Sequence, residues 1–375
     1  MSEMNDPFAE TLSRILNSHK GAAAGQWPTP LWRDINEAGF PMAMLAEDAG
    51  GAALGWAQAW PLLALVGEAA SPTPLAEAMM AQWLLGASGL DPCTGLAVIA
   101  APRKPVALTI TGDRIWTVSG ELPRVPWGRH ADTLVTIASF DGREHTVSIP
   151  VSPAARGLGV ALSTSESIAG EPRDSFILTA VPVSFCATAP LSSLDLLSLA
   201  AAVRSAQIGG GLRAALGLAV AHATLRVQFG RPLSAFQAIQ QQLARFGTQT
   251  AAAIAASQAA LEAVDACLGQ GDVTHDRLAN SINVCAGKVR AGEAAGIGAA
   301  IAHQVFGAMG FTQEHELHHV TRRLWAWRDE FGNEAFWSMR IGEAIIAAGP
   351  QEVWKRVTAL DKKQPSNVSI QRITS

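Results

Sequence analysis

The sequence predicts a chain of three regions in α-β-α order. These are a helical N-terminal domain over residues 1–92, a β-domain over residues 93–190 and a C-terminal domain of long helices over residues 191–375. Apolar residues recur at three- and four-residue intervals near both ends, and short runs of Val, Ile and Thr, separated by Gly, Pro and Asp, lie between them. This order of elements predicts helical layers on either side of a β layer within one chain.

The N-terminal helices follow from apolar spacing. Residues 8–16, 32–38 and 56–68 each place apolar side chains at helical intervals, which predicts one helix for each segment. Two glycines after the second segment and two prolines after the third separate the helices, because these residues interrupt regular structure.

Four short segments predict strands in the central region: residues 106–110, 115–118, 133–137 and 145–149. Each is rich in β-branched side chains, and a Thr-Gly-Asp turn separates the first two. We therefore expect a small β-domain here.

Three long segments predict helices in the last region: residues 194–230, 234–268 and 276–307. Their apolar residues keep helical spacing, and their high content of Ala, Gly and Ser allows close approach of neighbouring helices. A helical bundle is the expected arrangement.

The composition restricts the class of protein. Hydrophobic residues make up 49% of the chain and charged residues 16%, with a positive mean hydropathy, which predicts apolar surface buried between subunits. A formal charge of −4 without a basic cluster argues against nucleic-acid binding. No uninterrupted apolar run reaches about 18 residues, so we expect no membrane span. The N-terminus lacks a secretory pattern, and four widely spaced cysteines predict reduced thiols in a cytoplasmic protein.

The most specific motif follows the first long C-terminal helix. It consists of Arg226, Gln228, Phe229, Gly230 and Pro232, followed by Phe236 and Gln237. This run resembles the R-x-Q-F-G-x-P-ϕ-x-x-F-Q-x-x-Q signature of the acyl-CoA dehydrogenase family. A helix end at which the dipole favours Arg is the alternative interpretation of an isolated R-x-Q. Nine matching positions favour the family motif.

The resemblance implies specific roles for this motif. In the family, its Arg and aromatic residue reach across a subunit interface to the pyrophosphate and adenine half of FAD, which implies that role for Arg226, with Gln228 and Phe229 beside it. Gln237 would lie on the adenosine side. A guanidinium suits such a contact because it can donate to two phosphate oxygens at once.

A second motif lies at the end of the third long helix. Gln304, Gly307 and Ala308 resemble the family's Q-x-x-G-G turn, with Ala308 in place of the second Gly. Small residues allow a backbone to approach a cofactor closely. A glycine that caps the helix is the alternative, and the presence of both motifs favours contact with the flavin cofactor.

The β-domain resembles the family less. Thr111 to Trp116 is similar to the family's T-G-x-K-x-W segment, in which the Trp packs on the flavin ring, and this implies flavin contact for Trp116. The family's acidic, Gly-Ser-rich flavin segment has no counterpart, and residues 98–103 read Val-Ile-Ala-Ala-Pro-Arg instead.

As a whole, the resemblance implies the acyl-CoA dehydrogenase fold. That fold has an N-terminal helical domain, a central β-barrel-like domain and a C-terminal four-helix bundle. Because Arg226 can serve a flavin only across an interface, we expect subunits to pair through the bundles.

The catalytic base of the family is missing from both of its usual positions. The family reaction removes the α-proton of an acyl thioester with a Glu, while the β-hydrogen leaves as hydride to FAD. The first position corresponds to Phe331 and the second to Ala200. Glu330 is the remaining candidate base, because it precedes Phe331 by one residue. The alternative interpretation is a solvated helical face in which acids pair with neighbouring arginines: Asp329, Glu330 and Glu334 with Arg322, Arg323 and Arg328.

Three other patterns carry weaker hypotheses. The histidines at 315, 318 and 319 resemble a metal cluster but lack a matched ligand pair, so we predict no metal site. Residues 209–214 fit G-x-G-x-x-A, the nicotinamide fingerprint, but no strand precedes them. An aromatic group could line an acyl pocket, although core packing is the preferred interpretation; its members are Trp325, Trp327, Phe331, Phe336 and Trp337.

The leading hypothesis is an FAD-dependent acyl-CoA dehydrogenase subunit whose catalytic Glu is absent and is supplied by a partner chain, as in heterotetrameric dehydrogenases. Its expected partners are an acyl-CoA, a second dehydrogenase-like chain in a homo- or heterotetramer, and electron-transfer flavoprotein. A non-enzymatic scaffold subunit and a flavin-dependent monooxygenase of the same fold are the alternatives.

Overall fold

The computed structural model describes residues 6–21, 27–110, 115–156, 159–269, 276–312, 315–351 and 354. Four helices precede the sheet: α1 (Pro7–Ser18), α2 (Thr29–Glu37), α3 (Trp56–Glu68) and α4 (Leu75–Ala87). The Asp6 side chain begins α1 by accepting hydrogen bonds from two backbone N–H groups of its first turn. The helices predicted at 8–16, 32–38 and 56–68 are confirmed.

Eight strands form one sheet: β1 (Ala97–Ile99), β2 (Val106–Ile110), β3 (Trp116–Pro126), β4 (Thr133–Phe140), β5 (Arg143–Pro150), β6 (Val160–Ser163), β7 (Arg173–Pro182) and β8 (Phe185–Thr188). Their order is β6-β7-β3-β2-β4-β5-β8, with β1 parallel to β4. The four predicted strand segments are confirmed. β3 continues well beyond the predicted end at residue 118, because two register shifts accommodate Gly120 and Pro123 within its pairing with β7.

The C-terminal helices are α5 (Ser193–Leu225), α6 (Gln237–Leu268), α7 (Ile282–Phe306), α8 (Leu317–Asp329) and α9 (Glu334–Ala348). The first three pack against one another, α8 packs on α5 and α7, and α9 packs on α7. The predicted helix over 194–230 is wrong at its end. It stops at Leu225, and a hairpin of β9 (Val227–Gln228) and β10 (Arg231–Pro232) follows. Phe229 and Gly230 form the turn, both with positive φ, as a two-residue hairpin requires.

Glycines let α3 and α5 cross at close range. A Cβ at Gly210 would lie 1.8 Å from the carbonyl oxygen of Ala64, and a Cβ at Gly67 would lie 1.9 Å from that of Gln207. The sequence pattern at 209–214 therefore serves helix packing in the middle of α5. It does not follow a strand, so it lacks the setting of a nicotinamide site.

Within the described part of the chain, three helices are long and apolar enough to cross a membrane by length and composition alone: α5, α6 and the segment Ile282–Phe311. This differs from our expectation, which considered only uninterrupted apolar runs. Alanine and glycine raise the average hydropathy of these helices without producing such a run. Between 33% and 56% of the apolar window of each helix is buried inside the chain.

Lys288 of α7 fixes the end of α8. Its side chain is buried, and its ammonium donates hydrogen bonds to the carbonyl oxygens of Trp327 at 3.2 Å, Arg328 at 2.6 Å and Gly332 at 2.9 Å. The last carbonyl groups of a helix have no hydrogen-bond donor within the helix, and the Lys288 ammonium supplies that donor. Burial lowers the pKa of Lys288 to about 7, against the opposing influence of Glu334 and Glu330, whose charges favour the ammonium.

We expect Lys288→Met to lower the free energy of unfolding by about 3 kcal/mol, because three buried carbonyl groups lose their donor. Urea unfolding followed by circular dichroism measures the change. Arg290→Met is the matched control on the same helix, since its ion pair with Glu293 is partly exposed to solvent, and it should cost less than about 1 kcal/mol. Equal losses in the two variants would contradict the role assigned to Lys288.

Candidate functional site

A cavity of about 450 Å³ lies where the sheet meets the C-terminal helices. Its walls come from the segment after β1, the second half of β3, Leu197 of α5 and the turn between α8 and α9. Phe331 and Gly332 form that turn, and both have left-handed backbone conformations. The indole N–H of Trp337 donates to the Phe331 carbonyl oxygen at 3.0 Å, and Lys288 donates to that of Gly332. The turn is therefore held from two sides.

Neither of the two positions that the resemblance assigns to the family's base carries an acid here. Phe331 lies on the cavity wall, and Ala200 is buried in α5. Arg204 follows Ala200 by one helical turn, so both project from the same face of α5. Its guanidinium carbon lies 5.4 Å from the centroid of the Phe331 ring and 5.5 Å from that of Trp327. The Arg204 guanidinium therefore lies near the rings of Phe331 and Trp327 and one helical turn from Ala200.

Glu330 is buried, with 7% of its surface exposed. Arg173 donates to its Oε1 from Nε at 2.6 Å, and Arg204 lies 2.9 Å from its Oε2. The interpretation of Glu330 as part of a solvated helical face is therefore wrong. The helix ends at Asp329, and Glu330 adopts an extended conformation that takes its side chain out of the helical pattern and into the interior.

The other members of the predicted acidic face have different surroundings. Glu334 pairs with Arg328 at 2.6 Å, as expected. Arg323 is buried and pairs with Glu171 rather than with its neighbours in the sequence, so its expected pairing is also wrong. Arg322 donates from its side chain to the carbonyl oxygen of Ile168. Long-range partners replace local ones because α8 packs against the segment before β7.

Glu330 belongs to a larger group of buried charges, which we call the ion cluster. Arg204 pairs with Glu77 of α4 at 2.5 Å, and Arg173 of β7 pairs with Glu171 at 3.0 Å. Three acids and three bases make up the cluster: Glu77, Glu171 and Glu330 with Arg173, Arg204 and Arg323. Their formal charges cancel. The cluster joins the N-terminal helices, the sheet and the C-terminal helices at one point.

Electrostatics within the cluster favour the ionised forms of Glu171 and Arg173. Burial alone would raise the pKa of Glu171, but the Arg323, Arg173 and Arg204 charges outweigh it and bring that pKa below its ordinary value. Burial likewise opposes the charge of Arg173, yet Glu330 and Glu171 raise the pKa of its guanidinium. Removal of one member would leave a partner charged and without compensation in the interior.

Isolated charges in apolar helices are the sequence signal for this cluster. Arg204 is one of very few charges in a long apolar stretch of α5, and Glu77 stands alone in apolar α4. A lone charge in a helix that is buried all round needs an opposite charge nearby. The partners themselves could not be read from the sequence, because they come from distant segments.

The two motifs that resemble flavin-binding segments lie together at the far end of the bundle. His222 in the last turn of α5 stacks on Phe306 at the end of α7, with ring centroids 4.1 Å apart. The candidate cofactor residues of the two motifs are exposed, while Phe236 of the first motif is half-buried. The exposed residues are Arg226, Gln228, Phe229 and Gln237 around the hairpin, Gln304 in the last turn of α7, and Gly307 and Ala308 after α7. Phe229 is 91% exposed, which is unusual for so large an apolar side chain.

The residues at this end fit the adenosine and pyrophosphate portion of FAD. Among the described residues, the Arg226 side chain has no hydrogen-bond or ion-pair partner, so its donors remain available for phosphate oxygens. Gly307 has open space around its Cα, which permits close approach of a cofactor to the backbone. The exposed Phe229 ring offers a flat apolar face.

Trp116 lies at the first residue of β3 and does not reach the cavity. Its ring contacts Phe140 and His145, with centroids 5.1 Å and 5.9 Å apart. The part of β3 that lines the cavity is residues 121–126. The expected packing of Trp116 on a flavin ring therefore has no support from the position of this side chain. Residues 111–114 of the same motif lie outside the described part of the chain.

The side chains of the remaining aromatic and histidine patterns pack against other side chains of the protein. Trp327 and Trp337 are buried in the core, as the preferred interpretation predicted, while Phe336 faces the Arg103 guanidinium at 4.8 Å. Trp325 stacks against the His303 ring. The rings of His318 and His319 lie 3.9 Å apart, and within the described ranges no three His, Cys, Asp or Glu side chains are grouped as a metal site.

We expect Glu330→Gln to lower the free energy of unfolding by about 3 kcal/mol, because Arg173 and Arg204 lose the shared carboxylate. Asp329→Asn is the matched control, since the neighbouring Asp329 is exposed, and it should change stability by less than about 0.5 kcal/mol. Urea unfolding measures both. A Glu330→Gln protein with wild-type stability but with abolished dehydrogenation would instead identify Glu330 as a base.

Comparison with known proteins agrees with this geometry. Residues 193–346 match the family model for the acyl-CoA dehydrogenase C-terminal domain. The acyl-CoA dehydrogenase IpdE2 of Mycobacterium tuberculosis is 26% identical over 364 residues, which cover 95% of this chain and 96% of the relative. FadE34 of the same organism, also an acyl-CoA dehydrogenase, is 32% identical over 174 residues, covering 46% of this chain and 23% of FadE34.

Solved structures share the fold over nearly the full length. The ChsE4–ChsE5 complex from Mycobacterium tuberculosis superposes with a TM-score of 0.81 at 19% identity, covering 93% of this chain and 99% of that chain. A glutaryl-coenzyme A dehydrogenase in complex with glutaryl-CoA has a TM-score of 0.75 at 20% identity, covering 95% and 97%. Residues 193–346 therefore belong to the acyl-CoA dehydrogenase family, whose members are oxidoreductases acting on CH–CH groups, and the chain as a whole has the α-β-α fold of that family.

Proposed function

We propose that this chain is the subunit without a catalytic Glu in an FAD-dependent acyl-CoA dehydrogenase, and that a companion chain of the same fold supplies the base. One contrast carries the proposal. Phe331 stands where the resemblance expects the catalytic Glu, whereas Arg226 of the cofactor motif is exposed and its side chain has no partner among the described residues. A chain that lacks the proton-abstracting Glu but keeps the cofactor motif can complete a flavin site without abstracting the proton.

The ion cluster supports the absence of a base. Glu330 is the nearest carboxylate to the missing position, and two guanidiniums engage its two oxygens. A base must come within hydrogen-bond reach of the proton that it removes. Glu330 lines the cavity, but its carboxylate lies 2.5 Å from Arg173 and 2.9 Å from Arg204, so its protonation would weaken both buried ion pairs.

The exposed hairpin supports an interface with the companion chain. Five large apolar side chains at this end form what we call the hairpin surface: Leu225, Val227, Phe229, Met309 and Phe311. Such a group is costly to leave in water. A companion bundle that covers it would bring its own flavin next to Arg226, and we propose a dimer of such pairs, or tetramer, as the working assembly.

Within that assembly each exposed motif would contact a different part of the cofactor. FAD, when bound, would supply the acceptor for the hydride of the acyl-CoA substrate. Arg226 binds the pyrophosphate, Gln237 contacts the adenosine portion, and Phe229 excludes water from the adenine. Gly307 and Ala308 allow the cofactor to approach the backbone. We propose electron-transfer flavoprotein as the acceptor that reoxidises the assembly and the cytoplasm as its location, where the four free cysteines stay reduced.

A non-enzymatic scaffold is the second candidate. The segment from Ala100 to Lys104 lines the cavity where the family carries its acidic, Gly-Ser-rich flavin segment, and it offers no acid or hydroxyl. This favours a chain whose own cavity holds no flavin ring. It does not account for the retained Arg226.

The first test measures the flavin content and visible absorbance of the chain. The chain is purified alone and after co-expression with the dehydrogenase-like chain encoded by the nearest such gene. We expect a colourless chain alone. With the companion, we expect a yellow assembly whose absorbance is bleached anaerobically by an acyl-CoA. Stoichiometric FAD in the chain alone, bleached by the same substrate, would contradict the proposal. A co-purified assembly without flavin would favour the scaffold.

We expect Arg226→Ala to weaken FAD binding by the assembly about 30- to 100-fold, because it removes a charge-assisted contact worth about 2–3 kcal/mol. Fluorescence titration of the flavin-depleted assembly measures the affinity. Arg245→Ala on α6 is the control, since Arg245 is exposed and lies outside the motif. Unchanged affinity in the Arg226 variant would remove this residue from the cofactor site.

A further inference from the structure

We infer that a second cavity of this chain, between α1, α3, α5 and α8, binds an amphipathic monocarboxylate, the chemical class of free fatty acids. The inference does not depend on the proposed function. This space, which we call the α1–α8 cavity, has a volume of about 570 Å³. It borders α5 at residues 213–218, whereas the cavity beside Phe331 borders α5 at Leu197, about 24 Å away along the helix axis.

Apolar side chains from all four helices or from the residues that follow them line the α1–α8 cavity. They include Leu16, Ala69, Pro72, Ala214, Leu218 and Val320. Gly217 of α5 leaves additional room, since a Cβ at this position would meet no described atom within 4 Å. A hydrocarbon chain gains free energy when such a wall removes it from water. The cavity can therefore hold the apolar part of a small ligand.

Arg323 brings a buried hydrogen-bond donor to this cavity. It lines the cavity, although its side chain is only 3% exposed. Its Nε donates to Glu171 at 2.8 Å, and its Nη1 donates to the carbonyl oxygen of His319 at 3.0 Å. Its Nη2 has no hydrogen-bond partner among the described residues. A charged donor in the interior is costly to leave without an acceptor, and a carboxylate oxygen is the acceptor that forms the stronger, charge-assisted hydrogen bond.

His315 supplies a second donor. The backbone N–H of Leu317 donates to its Nδ1 at 3.1 Å, so Nδ1 is the acceptor nitrogen of the ring. In the neutral imidazole the proton then resides on Nε2, which has no partner within the described ranges. His315 and Arg323 line the cavity together with the first turn of α8, where the helix dipole favours negative charge. Two side-chain donors and a helix N-terminus thus favour an anionic headgroup.

The charges of the wall favour a ligand with one negative charge over a ligand with two. Besides Arg323, the cationic residues are Lys20 and Arg213, and the acidic residues are Glu68 and Glu316. Arg213 pairs with Glu68, so these two charges cancel. Glu316 directly precedes α8 and would repel a phosphate monoester dianion more strongly than a carboxylate. A carboxylate on an apolar chain fits both the donors and the apolar wall.

Isothermal titration of the full-length chain with octanoate at pH 8 tests the inference. Octanol and octyl phosphate are the comparison ligands, because they carry the same apolar chain with no charge and with two negative charges. We expect one octanoate per chain, bound at least about tenfold more tightly than either comparison ligand. Absence of saturable octanoate binding, or equally tight binding of octanol or octyl phosphate, would overturn the inference.

Gly217→Leu places a side chain in the open space of the α1–α8 cavity and leaves its charged residues in place. We expect this variant to bind octanoate at least about tenfold more weakly. Gly342→Leu is the matched control, because Gly342 is also a helical glycine with open space around it and lies on α9, outside the cavity. Leucine favours a helix more than glycine does, so neither change should destabilise the chain. Equal octanoate affinity in the wild type and Gly217→Leu would place the ligand elsewhere and overturn the inference.

Arg323→Lys tests the headgroup contact separately. The lysine keeps a positive charge beside Glu171 but removes Nη2. We expect octanoate to bind about tenfold more weakly while octanol binding is unchanged, a difference that a general loss of structure would not produce. Unchanged octanoate affinity, or an equal loss for both ligands, would overturn the assignment of the carboxylate to Arg323.

Discussion

The pairing of Arg204 with Glu77 and Glu330 is the interaction on which the arrangement of this chain depends. A guanidinium removed from water requires full compensation, and here the compensating carboxylates come from α4 and from the end of α8. Arg173 and Glu171 extend the same pairing to the sheet. Because each buried charge needs an opposite charge nearby, these ion pairs hold the N-terminal helices, the sheet and the α8–α9 turn in one relative position.

The two ends of the C-terminal helices differ in burial and in charge. Around Arg204 the interior is charged and held by long-range pairs, and Lys288 adds a further buried cation beneath the same turn. At the other end, the hairpin after α5 exposes apolar side chains and an arginine whose side chain has no partner among the described residues. The charged interior and the exposed motif are the features from which we propose a subunit that contributes to a flavin site without supplying the base.

Much of the fold could be predicted because its causes are local. Apolar spacing defined α3 at its exact bounds, and a β-branched run defined β2. The Arg226 motif could be found because its residues are close in the sequence. The ion cluster could not, since Glu77, Arg204 and Glu330 are far apart in the sequence and meet only after α4, α5 and α8 have packed. The sequence reveals such a cluster only as isolated charges in apolar helices.

By itself, the sequence determined the order of helices and strands and the motifs that resemble the acyl-CoA dehydrogenase family, since both are written in residue identity and spacing. Only the tertiary structure decided that Glu330 turns inward, that Trp116 packs away from the cavity and that residues 227–232 leave the helix as an exposed hairpin. The physical reason is that burial and ion pairing depend on which distant segments meet, and one segment's sequence does not specify its neighbours.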